Sequence, residues 1–483
     1  MEYTKTLKIK VAFIFFALAI STSTVHAVEL PELGSQDLVA YDVEREKNFG
    51  RAFTSALHTQ YQLNYDPEVI SYVRRIGHKI ASQTGELRDF SFYVINNPSI
   101  NAFAGPNGVI GIHTGLIQAV RSEDELASVI AHEIAHITQR HLSRQHLQNS
   151  SQGNLASFAT ILAAVLIGAY EPTAVMPTIM AGMSLNIEKQ LKNSREHEAE
   201  ADSAGITLLQ KAGYNPRAMA TFFDRLANSS QNHLYQLPEI LLSHPVTDSR
   251  IAQAENRAQL MIRKPVTQQD NSLELIQHRL LQPKQITKDN NYLFTDLEIE
   301  SRCYLQNLLA IKSNSHTPNY DCIKKITQEH PEQSLYTNLL LELIKQSDHV
   351  NGNLKLFALQ QGSFQIALFP QNNATLIRYS ELLLKLNKTN SAIELLVQYT
   401  KGRRYKYLIH KKLSEIYAKQ QQFTQAYFYK AKSEFNIGNL KRTIHLLEQA
   451  ENYNVSKNKI MSRQITLLSN ISNNLLKAIE KPQ

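Results

Sequence analysis

After residue 27 the sequence has no uninterrupted apolar run of the roughly 18 to 20 residues that a bilayer-spanning helix needs, which argues against an integral-membrane protein. Charge of one sign is also scarce. The net charge is only +8 over 483 residues, too modest an excess to name a partner class, and nucleic acid is a poor fit for a chain with the export signal described below. Tryptophan is absent, and cysteine occurs only at Cys303 and Cys322, so none stands directly after Ala27 and lipid attachment there is unsupported. The 43% hydrophobic and 19% charged content is nonetheless globular, and the length predicts two or three domains.

The N-terminus reads as an address. Lys5, Lys8 and Lys10 precede the apolar run Val11 to Ile20, polar residues follow at Ser21 to Thr24, and Val25-His26-Ala27 predicts cleavage after Ala27. An uncleaved anchor is the alternative, for which the run is short. Export makes Cys303 and Cys322 candidates for a disulfide, two free buried thiols being the alternative. The densest basic stretch, 401-KGRRYKYLIHKK-412, reads as a solvated helix face rather than as a site for acidic lipid or protein.

The segment 122-SEDELASVIAHEIAHITQRHL-142 carries a helix start, with Ser122 as cap and Glu125 completing a capping box. Leu126, Val129, Ile130 and Ile134 recur at helical spacing and predict a buried face. Residues four apart share a helix face about 5 to 6 Å from one another, so His132 and His136 can present nitrogens to one ion. A catalytic zinc takes three protein ligands and keeps a fourth position for water, whose proton a nearby carboxylate accepts. Glu133 is the candidate general base. A third ligand has to come from elsewhere, because Gln139 and Leu142 stand where the longer histidine-glycine-histidine pattern needs glycine and histidine, and His141 is one residue out of phase.

A second polar helix, 194-SREHEAEADSAGITLLQKAG-213, sets Glu198 and Asp202 one turn apart. Glu198 can complete the ion's shell, and Asp202 can accept the free ring N–H of a ligating histidine. The plain alternative is an acidic surface helix.

These residues, from His132 to His136 and from Ser194-Arg195 through Glu198 to Asp202, resemble the zinc-endopeptidase family of the CAAX prenyl protease and the HtpX heat-shock protease. Two further stretches agree with the resemblance, 101-NAFAGPNGVIGIHTGLI-117 and 243-SHPVTDSRI-251. It covers nearly all of the mature chain by layout, since some members join an exported peptidase domain to C-terminal tetratricopeptide repeats. It implies that His132, His136 and Glu198 bind one zinc ion per chain, with Glu133 as base and His244 near the metal as a fourth ligand or switch. From chemistry alone, His244 is a histidine ahead of Pro245, which can start a helix.

Val109 to His113 reads as a short strand after the turn Gly105-Pro106-Asn107-Gly108, either a sheet edge that pairs with an extended substrate or a plain core strand. The apolar runs 155-ASFATILAAVLIGAY-169 and 172-PTAVMPTIMAGMSLNI-187 read as buried or site-covering helices, with peripheral contact to a membrane or apolar substrate as the alternative. Polar 263-RKPVTQQDNS-272 begins a linker containing one short helix. Beyond it, Tyr379, Ser380, Leu383 and Ala392 are matched 34 residues later by Leu413, Ser414, Tyr417 and Ala426, the period of tetratricopeptide helix pairs. An unrelated helical bundle is the alternative, and 343-LIKQSDHVNGNLKLFALQQG-362 breaks the period.

The fold expected is mainly α: residues 1–27 as signal peptide, 28–262 as a zincin-type α+β metallopeptidase domain with a small sheet, 263–290 as linker and 291–483 as helical repeats. A disulfide between Cys303 and Cys322 would staple the first helix pair. The resemblance implies zinc-dependent endopeptidase action in the periplasm on misassembled outer-membrane β-barrel proteins, with the repeats meeting such substrates and their assembly machinery. The rival is a chaperone or scaffold whose zinc site is latent.

Overall fold

The computed structural model describes residues 43–141, 187–232, 238–261, 271–281, 297–313, 317–401, 405–455 and 458–480. The leader, the apolar runs up to residue 186 and most of the expected linker lie outside the described residues.

Helix α1 (Val43–Gln60) is followed by α2 (Pro67–Ala81), whose start Asp66 fixes. Its carboxylate accepts from the backbone N–H of Glu68 at 3.0 Å and Val69 at 3.2 Å, and Pro67 sits where a missing N–H costs nothing. Strands β1 (Ser91–Ile95), β2 (Ala102–Ala104) and β3 (Val109–His113) then form one sheet in the order β1-β3-β2. β3 pairs parallel with β1, Ser91 opposite Val109, and antiparallel with β2, Ala102 opposite Ile112.

Val109 to His113 is therefore the central strand, with every residue buried, and its reading as a substrate-pairing edge is overturned. The near-continuous apolar run is what a strand covered on both faces requires. Gly111 belongs there for space, since a Cβ would meet the Phe103 ring at 2.3 Å. The edges are β2 and β1, and the chain before α2 covers part of β1, where the Asn64 N–H donates to Val94 O at 2.8 Å.

Helices α3 (Thr114–Ala119), α4 (Glu123–Thr138), α5 (Ile187–Ala212), α6 (Ala218–Asn232), α7 (Glu239–Ser243) and α8 (Asp248–Gln259) complete the first part. Ile76 of α2, Ile112 of β3, Ile130 and Ile134 of α4, Leu209 of α5 and Phe222 of α6 share one core. Each such side chain contributes about 1.5–3 kcal/mol by leaving water, so α4 is held from several sides.

The second part is helical throughout: α9 (Ser272–Arg279), α10 (Ile299–Lys312), α11 (Tyr320–Glu329), α12 (Ser334–Gln346), α13 (Gly352–Leu368), α14 (Asn373–Lys385), α15 (Thr389–Thr400), α16 (Tyr407–Lys419), α17 (Phe423–Asn436), α18 (Leu440–Asn452) and α19 (Lys459–Glu480). The starts of α14 and α16, Asn373 and Tyr407, are 34 residues apart, the same spacing as the residue matches in the sequence. Cys303 on α10 and Cys322 on α11 form a disulfide. Among the described residues no helix is long and apolar enough to cross a membrane.

From Glu44 onward the chain is a single compact unit. The short helix of the expected linker, α9, has Leu275 and Ile276 fully buried, and the Gln277 side chain donates to the carbonyls of Ile117 and Val120, both at 2.9 Å. Charge joins the two parts as well. Arg378 of α14 donates from Nε and Nη2 to the two oxygens of Glu68 on α2, both at 2.8 Å. Arg279 of α9 donates to Asp66 Oδ2 at 2.9 Å and to Glu342 Oε2 of α12 at 3.1 Å.

Removing one member of such a buried set strands the others. Arg378→Met is predicted to lower unfolding stability by about 3–5 kcal/mol, read from urea denaturation; an unchanged midpoint would mean that apolar packing alone joins α2 to α14.

His113 at the end of β3 supplies a pH test. Ser99 Oγ donates to Glu239 Oε2 at 2.7 Å and so accepts from His113 Nδ1, also at 2.7 Å. Burial pushes this imidazole from the ordinary 6.5 down to about 4. The folded chain thus holds it neutral while the unfolded chain protonates it, so its contribution is complete above 6.5 and is lost as pH falls toward 4. Relative to His113→Gln, the wild type is predicted to lose up to about 1.4 kcal/mol per pH unit across that window. Parallel urea midpoints for the two proteins at all pH values would contradict this.

Candidate metal centre

Helix α4 fixes the two histidines through its own start. Ser122 Oγ accepts from the Glu125 N–H at 3.2 Å, while Glu125 Oε2 accepts from the Arg121 N–H at 2.7 Å, one residue beyond the expected capping box. Arg225 of α6 also binds that carboxylate. Three turns on, His132 and Glu133 are buried, with exposures of 4% and 1%.

Helix α5 crosses α4 closely at Gly205, where a Cβ would stand 3.3 Å from the His132 backbone N. The approach aims Glu198 and Asp202, one turn apart, at α4. His244 arrives from a third segment as the C-cap of α7, its N–H donating to Ile240 O at 2.8 Å. Pro245 does not start a helix: Thr247 caps α8, which begins at Asp248.

The structure brings His132, His136, Glu198 and His244 together. The Nε2 atoms of His132 and His136 are 3.0 Å apart. Glu198 oxygens lie 3.3 Å from the first and 3.4 Å from the second. His244 Nδ1 stands 3.0 Å from Glu198 Oε1 and 3.4 Å from His132 Nε2. One ligand atom from each of the four falls within 4.8 Å of the others.

Imidazole lone pairs this close repel unless a proton or cation lies among them, and three nitrogens with one carboxylate oxygen suit a zinc-type ion. The set fits a metal. Beside it, Glu133 Oε1 is buried without a hydrogen-bond partner among the described residues, 3.6 Å from His244 Nε2.

Asp202 is not a donor to this set; its Oδ1 lies 3.0 Å from His132 Nδ1, on the far side of the ring. Arg250 of α8 holds it, Nε donating to Oδ2 at 2.7 Å and Nη2 to Oδ1 at 2.8 Å, and Arg250 Nη1 lies 3.0 Å from Glu198 Oε2. Burial alone would raise the Asp202 carboxyl, but Arg250 and His132 hold it below the usual range. Burial would likewise raise Glu198, and His244, His132 and His136 hold it well below. Sequence reasoning missed Arg250. It lies within the quoted segment 243–251, but nothing local marks an arginine whose partner is 48 positions away. Cys303 and Cys322 take no part and serve the α10–α11 pair.

Comparison with known proteins agrees with this geometry. The profile of peptidase family M48 matches residues 67–258, the stretch that holds every residue of the site. A Yersinia pestis beta-barrel assembly-enhancing protease is 30% identical over 388 residues, covering 77% of this chain and 76% of the relative. The chain belongs to peptidase family M48. A Vibrio cholerae relative is 35% identical over 232 residues, and there the match spans about half of each chain, 48%. The mitochondrial metalloendopeptidase OMA1 of Arabidopsis thaliana is 34% identical over 182 residues, 37% of this chain and 34% of that one. An M48 member with these side chains is built as a metalloendopeptidase.

The purified M48 chain is predicted to hold one divalent ion and His136→Ala to hold none, by elemental analysis after gel filtration. Metal at about 100 times its dissociation constant should add about 2.7 kcal/mol of stability, reversed by a chelator; a melting temperature indifferent to metal would contradict the site.

Proposed function

We propose that this M48 member is an exported zinc endopeptidase that cuts misassembled outer-membrane β-barrel proteins in the periplasm and assists the assembly of others. The observation that carries the reading is the buried Glu133 Oε1, without a hydrogen-bond partner among the described residues, beside three histidines and Glu198. The name of the Yersinia relative, a beta-barrel assembly-enhancing protease, supports the substrate class, and the lysine-led apolar leader supports export.

His132, His136 and Glu198 would hold the zinc, which when bound polarises the scissile carbonyl and acidifies water. The chain's own groups do the rest. Glu133 takes the proton of the attacking water and gives it to the leaving amine. Asp202, held by Arg250 and 3.0 Å from His132 Nδ1, would favour a proton on that nitrogen by its charge, so that Nε2 faces inward. His244 puts Nδ1 among the ligand atoms and Nε2 toward Glu133, and so has to withdraw before substrate enters. A partly unfolded barrel protein exposes unpaired strands, the ligand that a sheet edge such as β2 and a stack of helix pairs, read as tetratricopeptide repeats, would hold.

The position of His244 also favours a second reading, a scaffold that holds barrel proteins and their assembly machinery through the helical repeats while the metal site stays shut. A cleavage time course on an unfolded barrel protein separates the two. Glu133→Gln is predicted to cut about 10²–10⁴-fold more slowly than wild type, chelated enzyme not at all, and His244→Ala to cut at a changed rate. Substrate held but left intact by wild type and His244→Ala, with metal bound, would favour the scaffold.

A further inference from the structure

His141 falls five residues after His136, a spacing that on a continuous helix would turn it away. The helix does not continue. α4 ends at Thr138, and Arg140 takes φ 54, a left-handed backbone that a non-glycine residue adopts only when the surroundings fix it. The reversal returns His141, 3% exposed, to the ring of His136, where the two Nδ1 atoms are 2.8 Å apart. On its other side His141 Nε2 lies 3.0 Å from Glu200 Oε2 of α5, and its face stacks on His197 with ring centroids 4.4 Å apart.

We propose that His141 and Glu200 form a relay that sets the tautomer and orientation of His136. The role is one of positioning and rests on the metal site argued above. One proton arrangement fits both ring contacts of His141. If His136 Nε2 offers its lone pair among the ligand atoms, its proton is on Nδ1 and is donated to His141 Nδ1. His141 must then carry its own proton on Nε2, which it donates to the Glu200 carboxylate. Glu200 thereby reaches His136 through one imidazole, as Asp202 reaches His132 directly. The two ligand rings of α4 are thus buttressed from the same helix, α5, by acids two residues apart. Such outer partners are worth about 10–100-fold in metal affinity.

The test is metal affinity, by competition with a chromophoric chelator, on the full chain and its variants. His141→Phe keeps the stack on His197 and loses both hydrogen bonds. It should weaken metal binding about 10–100-fold, Glu200→Gln should weaken it less, and His141→Asn, which keeps an acceptor near Nδ1, should recover most of the loss. Nitrogen-15 histidine spectra of the metal-loaded wild type should show His136 protonated at Nδ1 and His141 at Nε2. Wild-type affinity in His141→Phe, or a His141 proton on Nδ1, overturns the relay while leaving the metal site standing. A wild type that takes up no metal removes both.

Discussion

Asp202 is the group on which the centre depends. A carboxylate buried to this degree needs compensation, and it receives two hydrogen bonds from Arg250 of α8 while standing beside the His132 ring of α4. Three segments of chain, α4, α5 and α8, are thereby fixed about one acid. Arg250 also contacts Glu198, so the same guanidinium that neutralises Asp202 restrains a ligand. The cost of so polar an interior is offset by packing around it, with Ile130, Ile134 and Phe222 fully buried nearby.

The second ion cluster has a different consequence. Asp66 and Glu68 lie at the start of α2, where a helix N-terminus already favours negative charge, and they receive Arg279 and Arg378 from the helical part. The helices that follow residue 271 are therefore anchored to the first part through buried charges and through Gln277.

Much of this was legible in the sequence, for identifiable reasons. His132, Glu133 and His136 are local, and helical spacing alone brings them to one place. Glu198 was within reach because its own helix carries a polar face one turn long, and His244 only through a family resemblance. The strand Val109–His113 was read correctly as a strand, but its place in the sheet depends on pairing partners that a short apolar run does not name. Pro245 suggested a helix start that Thr247 supplies instead, because a threonine hydroxyl can accept the Arg250 N–H and a proline offers no such group. Arg250 looks like an ordinary surface charge until the chain is folded, and Glu200, which stays exposed, is marked out only by its contact with His141. The 34-residue spacing that separates the starts of α14 and α16 was visible in the sequence, whereas the burial of α9 was not, since its polar flanks resemble a linker.

The central claim is that three histidines and one glutamate converge on a single ion. X-ray absorption at the edge of the bound metal in the loaded chain tests it most directly. The account predicts a shell of nitrogen and oxygen alone, at about 2.0–2.1 Å, with imidazole scattering that diminishes by one ring in His244→Ala and is lost with the metal in His136→Ala. A sulfur shell, or a spectrum unchanged in both variants, would place the ion elsewhere and contradict the account.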